Sequence, residues 1–174
     1  MFQTPYPELA EIVRHFQEDF SLTWLDMGAG YGRLGFVLSL LRPQDQFVGL
    51  EFVSARVRHA REVIAHQAIT NARMLEADLT AKLDECIPEF DVGFLFDFGK
   101  PLQISRLLNF LRERSQMRAM AGIGRGRATR HLIENEHPWM SQVETPLQTA
   151  HYSPYRSGVQ SAGRQTQETT GHSK

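Results

Sequence analysis

Four carboxylates in the first hundred residues stand where apolar runs end. Asp26 follows Thr23 to Leu25, Glu51 follows Gln46 to Leu50, Asp78 follows Ala72 to Ala77, and Asp97 follows Asp91 to Phe96. Random placement would rarely produce that pattern. Behind the first acid comes Met27-Gly28-Ala29-Gly30-Tyr31-Gly32, with glycines at alternate positions. Glycines at the mouth of a strand let the chain turn tightly and let a ligand lie against bare main chain. An acid beside such a loop disfavours a phosphate there but suits an ammonium group or hydroxyls. A carboxylate accepts two hydrogen bonds at once, which fits the paired hydroxyls of a ribose. Together these residues point to a nucleoside carrying a positively charged amino-acid tail, and S-adenosylmethionine is such a ligand.

The acids need elements to position them. Pro7 to Phe16 is expected as a short helix, with Leu9, Ile12, Val13 and Phe16 on one face. Thr23–Met27 is expected as the first strand and Leu34 to Leu41 as a buried helix stopped by Pro43. Gln46 to Leu50 is the second strand. Ser54 is placed to cap the next helix, which would turn Val57, Ala60, Ile64 and Ala68 inward and Arg56, Arg58 and Arg61 outward. Ala72 to Ala77 and Asp91 to Phe96 are the third and fourth strands. Pro101 opens a helix whose Ile104, Leu107, Leu108 and Leu111 form a clear stripe. A fifth strand is expected over Arg118 to Ile123, a short helix over Thr129 to Asn135, and late strands over Trp139 to Val143 and Ala150 to Tyr155.

Strands alternating with helices imply an α/β fold with a mostly parallel sheet and helices on both faces. Runs such as Val92-Gly-Phe-Leu-Phe96 suit burial on both sides. In such sheets a ligand sits beyond the carboxyl ends of the strands, where the four acids stand. Residues 1–156 read as a single domain. Residues 157–174 are rich in Ser, Gly, Gln and Thr, and are expected to form a disordered tail.

The bulk composition is ordinary. The chain has 174 residues, 41% hydrophobic and 22% charged, with a formal net charge of −1. That balance gives no global attraction to nucleic acid or membrane, and no run approaches a membrane span. Cys86 is the only cysteine, which excludes a disulfide framework and suits a reducing compartment. The N-terminus lacks a signal-peptide pattern, so a cytoplasmic protein is expected. The seven histidines show no metal-ligand spacing, and no metal is expected.

A second reading competes for the glycine loop. Gly30-Tyr31-Gly32-Arg33-Leu34-Gly35 satisfies the dinucleotide fingerprint, with Glu51 about 20 residues on. It requires the strand to run on through Gly28, whereas Asp26 and Met27 look like its end. The chain also lacks room for the separate substrate domain of a typical dehydrogenase. A Walker loop is excluded, because no Gly-Lys-Ser/Thr follows.

Residues 21–101 resemble the class I S-adenosylmethionine-dependent methyltransferases, which have a three-layer, Rossmann-like fold with an antiparallel last strand. Trp24-Leu-Asp-Met-Gly-Ala-Gly-Tyr-Gly32 resembles their first motif, whose loop wraps the methionine part of the cofactor. The resemblance implies cofactor contacts from Asp26, Gly28, Ala29, Gly30, Tyr31 and Gly32. Phe47-Val-Gly-Leu-Glu51 resembles the second motif, which would put Glu51 on the ribose. Glu76-Ala-Asp78 resembles the third, which would put Asp78 on the adenine amino group, with Phe52 and Leu79 sandwiching the ring. Phe94-Leu-Phe-Asp-Phe98 stands where the fourth motif closes the site, so Asp97 and Phe98 are the candidate catalytic wall. A carboxylate there could hold an incoming ammonium or help deprotonate it.

Within that superfamily the chain is most similar to the non-SET lysine methyltransferases, through Asp-x-Gly-x-Gly-x-Gly-Arg, Val-Gly-x-Glu and the closing Tyr152-Ser-Pro-Tyr-Arg156. It departs from them at Asp97-Phe-Gly-Lys-Pro101, where they tend to carry an asparagine or a short apolar-aromatic loop. The resemblance implies N-methylation of a protein lysine or of a small molecule, with S-adenosyl-L-homocysteine as product. A nicotinamide-type binding protein and a non-catalytic cofactor-binding subunit are the alternatives.

Several features stay open between a functional and a structural role. Asp97 could instead cap the helix opened by Pro101, and Phe52 and Leu79 could be ordinary packing residues. Arg33 could line the pocket or pack at a helix start. Tyr152 and Tyr155 could form an aromatic rim or a buried edge. The arginines at 112, 114, 118, 125, 127 and 130 could meet an acidic or phosphorylated substrate or form a solvated face.

Overall fold

A computed structural model describes residues 3–16, 19–81, 83–115, 120–143 and 151–157. Its frame is a seven-stranded sheet in the order β3-β2-β1-β4-β5-β7-β6. The strands are β1 (Thr23–Met27), β2 (Gln46–Glu51), β3 (Ala72–Glu76), β4 (Val92–Phe96), β5 (Ala121–Arg125), β6 (Met140–Gln142) and β7 (Tyr152–Ser157). β1 to β5 pair in parallel, while β7 runs antiparallel to both β5 and β6. This is the Rossmann-like, three-layer α/β arrangement that the alternating pattern implied.

The helices are α1 (Tyr6–His15), α2 (Arg33–Leu41), α3 (Ser54–His66), α4 (Leu83–Cys86), α5 (Pro101–Ser115) and α6 (Arg127–Glu136). Neighbouring residues of a strand point to opposite faces, and β1 shows the consequence. Trp24 joins Leu9, Ile12, Leu34, Leu38 and Val57 in one core. Leu25 and Met27 join Ile104, Leu107, Leu108, Leu132 and Ile133 in the other. Thus α1, α2 and α3 cover one face, and α5 and α6 the other.

The far end of the sheet is held by a polar knot. Asp45 is fully buried and accepts from Leu22 N–H (3.1 Å), Trp24 Nε1 (2.8 Å) and Arg42 Nε (2.6 Å). Arg42 also donates to the Phe16 carbonyl. A buried ion pair holds where such hydrogen bonds satisfy both partners.

Several expected boundaries move. α1 starts at Tyr6, and Phe16 is its extended C-cap, still buried. α3 has Val53 as N-cap without a side-chain bond, so Ser54 does not cap it. The Ser54 hydroxyl instead bonds Glu76 Oε1 at 2.5 Å. Ala68 lies beyond α3, exposed and with φ +51°, because the helix has already ended. The fifth strand reaches Arg125, since pairing with β4 runs from Ala121 opposite Val92 to Arg125 opposite Phe96. The start expected at Arg118 falls outside the described residues. α6 is longer than Thr129 to Asn135 at both ends, and α4 was not expected.

Both candidate late strands form, as Met140–Gln142 and Tyr152–Ser157, and the start expected at Ala150 falls outside the described residues. Ser157 is buried and its hydroxyl accepts from Met120 N–H at 2.8 Å, so order extends one residue past the expected boundary. The rest of the expected tail lies outside the described residues. Tyr152 and Tyr155 are 2% and 1% exposed, core residues rather than a rim.

Candidate functional site

The four acids converge because parallel strands end together. Asp26 sits opposite Gly49 of β2 and Phe94 of β4, so β1 is flanked by the strand that ends at Glu51 and the strand that Asp97 follows. The loop after β1 is tied to the end of β2. The N–H groups of Gly28 and Ala29 both donate to the Leu50 carbonyl at 2.9 Å, and Gly30 N–H donates to Glu51 Oε2 at 2.9 Å. Glu51 Oε1 accepts from Val53 N–H at 2.9 Å and lies 3.4 Å from Arg56 Nη1. Each oxygen of a carboxylate has two lone pairs, so Glu51 keeps acceptor capacity toward the space it faces.

Gly28 shows why the loop needs glycine. Its φ is +96°, and a Cβ there would lie 2.7 Å from Phe98 Cβ. At Gly30 a Cβ would meet nothing within 4 Å, because that stretch of main chain faces open space. The space is a cavity of about 760 Å³ beyond the carboxyl ends of β1, β2 and β4. A site of this size suits a nucleoside-sized ligand.

Asp26, Gly28, Ala29, Gly30, Tyr31, Glu51, Phe52, Asp78, Leu79, Asp97 and Phe98 all line it. Gly32 does not. It is the N-cap of α2, at φ +72°, with Met74 Sδ 3.1 Å from where its Cβ would be. Its backbone is needed for the approach of helix to sheet, and it contributes nothing to the lining.

The acids have different environments. Asp26 is buried, and that desolvation, with the charge of Glu51 second, pushes its carboxyl up to about 8. Burial there disfavours the ionised form, and a cation beside it would favour it. Asp78 is solvated, and its Oδ1 accepts from Thr80 N–H (2.8 Å) and Thr80 Oγ1 (2.6 Å), which hold it below the usual carboxylate range. Phe52 is 68% exposed at the mouth, whereas Leu79 is 6% exposed against the core.

Asp97 is committed in a way the sequence did not suggest. Its Oδ1 accepts from both the N–H and the hydroxyl of Thr129, each at 2.8 Å. Thr129 is in the first turn of α6, so Asp97 caps α6 rather than the helix opened by Pro101. Gly126, at φ +87°, lies against the same carboxylate, and a Cβ there would fall 2.3 Å from Asp97 Oδ2.

Residues not anticipated also line the cavity, notably Gln3, Thr4 and Leu9 from the N-terminal segment, Arg56 from α3 and Gln103 from α5. The N-terminal segment is positioned by Glu8, which pairs with Arg125 of β5 through Arg125 Nε (2.6 Å) and Nη2 (3.2 Å). A contact spanning 117 residues leaves no local signal. Arg33 does line the pocket.

Arg114 donates to the Ile87 and Pro88 carbonyls, Arg125 is paired, Arg127 is exposed, and Arg118 lies outside the described residues. Among the described residues no group of three or more His, Cys, Asp or Glu could hold a metal ion. No helix among them is long and apolar enough to cross a membrane.

A family model described as a methyltransferase domain matches residues 19–143. A search of curated proteins gave no match. Among solved structures, the fold is similar to a putative methyltransferase, yhhF, from Escherichia coli (17% identity, 89% of this chain and 86% of that one, TM-score 0.67). It is similar to precorrin-6y C5,15-methyltransferase from Geobacter metallireducens (17% identity, 87% of each chain, TM-score 0.61). It is also similar to coclaurine N-methyltransferase bound to N-methylheliamine and SAH (16% identity, 68% of this chain, TM-score 0.56). The chain spans 34% of the length of that last protein. At these identities the likeness concerns the fold.

Proposed function

We propose that this chain, which belongs to the methyltransferase-domain family, binds S-adenosylmethionine in the cavity and transfers its methyl group to an amine. One observation carries the reading: a buried carboxyl (Asp26), an acid at the end of β2 (Glu51) and a solvated acid after β3 (Asp78) line one cavity with the glycine loop. Open space over Gly30 leaves the cradle such a ligand needs.

In this reading Asp26 meets the ammonium of the amino-acid tail, Glu51 the two ribose hydroxyls and Asp78 the adenine amino group. Phe52 and Leu79 flank the adenine. When bound, the sulfonium supplies an already activated methyl group. Phe98 walls the reacting end, and Asp97 fixes that wall against α6. The acceptor gives up its proton to solvent and reacts as the free base, because its nitrogen lone pair must attack the methyl carbon as the carbon–sulfur bond breaks. In-line positioning does most of the work in such a transfer.

Protein lysine is the preferred acceptor class and a small-molecule amine the close variant. Exposed Tyr31, Phe52 and Val53 at the mouth suit an amine presented on a larger body. The dinucleotide alternative is disfavoured by β1 ending at Met27, which leaves all three glycines in the loop. Binding of S-adenosylhomocysteine by calorimetry, followed by methyl transfer from labelled S-adenosylmethionine to lysine-bearing peptides and to free amines, tests the reading. Binding without transfer to any acceptor would favour the non-catalytic subunit.

A further inference from the structure

The amino-acid tail of the proposed cofactor is a zwitterion, so Asp26 answers only half of it. A carboxylate entering a site lined by Asp26, Glu51, Asp78 and Asp97 needs a compensating cation. Two arginines, Arg33 and Arg56, line the cavity. Arg56 lies 3.4 Å from Glu51, so its charge is already balanced.

Arg33 is different. It is half-buried, its Nη1 donates to the neutral amide oxygen of Gln3 at 3.0 Å, and its guanidinium stacks 3.9 Å from the centre of the Tyr6 ring. No carboxylate pairs with it among the described residues. Arg33 is also the first residue of α2, which begins with no side-chain cap, and the positive end of a helix adds to its pull on an anion. Asp26 and Arg33 thus stand at opposite ends of the glycine loop, one suited to the ammonium and one to the carboxylate.

We propose that Arg33 holds the carboxylate of the ligand's amino-acid tail and makes the site selective for ligands with a complete zwitterionic tail. The inference rests on the cofactor reading above. In it the Gln3 amide holds the guanidinium in place until a carboxylate replaces it, and Tyr6 keeps the side chain over the cavity. Arginine suits this role through its planar, forked donors.

The test compares S-adenosylhomocysteine with its analogue that lacks the carboxylate but keeps the amine, by calorimetric titration. Wild-type protein is expected to prefer the complete ligand by about tenfold or more, one charge-assisted hydrogen bond being worth that much. Arg33→Gln should bring the two affinities within about threefold of each other, mainly by weakening the complete ligand. Arg33→Lys, which keeps the charge, should retain part of the preference. Equal preference in wild type and Arg33→Gln, or an equal loss for both ligands, would overturn the role of Arg33 while leaving the cofactor reading intact. Failure of wild type to bind either ligand would overturn both.

Discussion

Thr129 donates its backbone N–H and its hydroxyl to the same oxygen of Asp97, each at 2.8 Å. A residue that lines the cavity therefore also satisfies the first turn of α6. Asp97→Ala is expected to cost about 1 kcal/mol through the lost cap, seen as a lower midpoint in thermal unfolding. Asp97→Asn keeps an oxygen that accepts from Thr129. It should fold normally and keep methyl transfer within about threefold of wild type, whereas loss of a general base typically costs 100-fold or more. A folded Asp97→Asn protein with such a loss would make Asp97 the base.

Gly28 and Gly30 are both in the loop and both at positive φ, +96° and +58°, but they should fail differently. Gly28→Ala forces a Cβ to 2.7 Å from Phe98 Cβ. With the backbone strain this should cost on the order of 1–3 kcal/mol or more, read by chemical denaturation. Gly30→Ala meets no neighbour within 4 Å. It should fold with only modest loss and instead weaken ligand binding, because the new methyl enters the cavity.

Much of this was legible from local chemistry. Alternating Trp24 and Leu25, the stripe Ile104, Leu107, Leu108 and Leu111, and the acids closing each apolar run identify elements and site because each signal lies within a few residues. The antiparallel last strand came with the family resemblance, whereas the order β3-β2-β1-β4-β5-β7-β6 had no local signal. What was illegible depends on distance in sequence. Thr129 lies 32 residues from Asp97, Arg125 lies 117 residues from Glu8, and Trp24 meets Asp45 21 residues on. Gly32 belongs to the motif by spacing, yet its surroundings are Met74 and Ala60, so spacing alone could not separate loop scaffold from lining. Ser54 matched a cap by residue type, but Glu76 offered its hydroxyl a charged partner instead.

Asp26 predicts a proton-linked site. Its carboxyl is pushed up to about 8 by burial and by Glu51, while in the unfolded chain it returns to the ordinary carboxylate range. The unfolded state therefore binds fewer protons between about pH 4 and 8. The stability this group contributes is complete at low pH and is lost as pH rises toward 8. Thermal midpoints of wild type should fall through that window, and Asp26→Asn should flatten part of the fall.

Ligand binding should show the opposite slope. An ammonium is held by the carboxylate form, so binding below pH 8 expels a proton. Affinity for S-adenosylhomocysteine should rise by up to tenfold per pH unit as pH 8 is approached from below. Calorimetry at pH 7 in buffers of different ionisation enthalpy should reveal the released proton, and Asp26→Asn should abolish the release. An affinity independent of pH from 6 to 8 would contradict this account of Asp26.

The most direct measurement is calorimetric titration of the protein with S-adenosylmethionine and S-adenosylhomocysteine, with NAD as control. Micromolar binding of the first two is expected, weakened at least tenfold in Asp26→Ala and in Glu51→Ala, with no heat from NAD. Absence of binding by either sulfur nucleoside, or preference for NAD, would contradict the assignment of the cavity to a methyl donor.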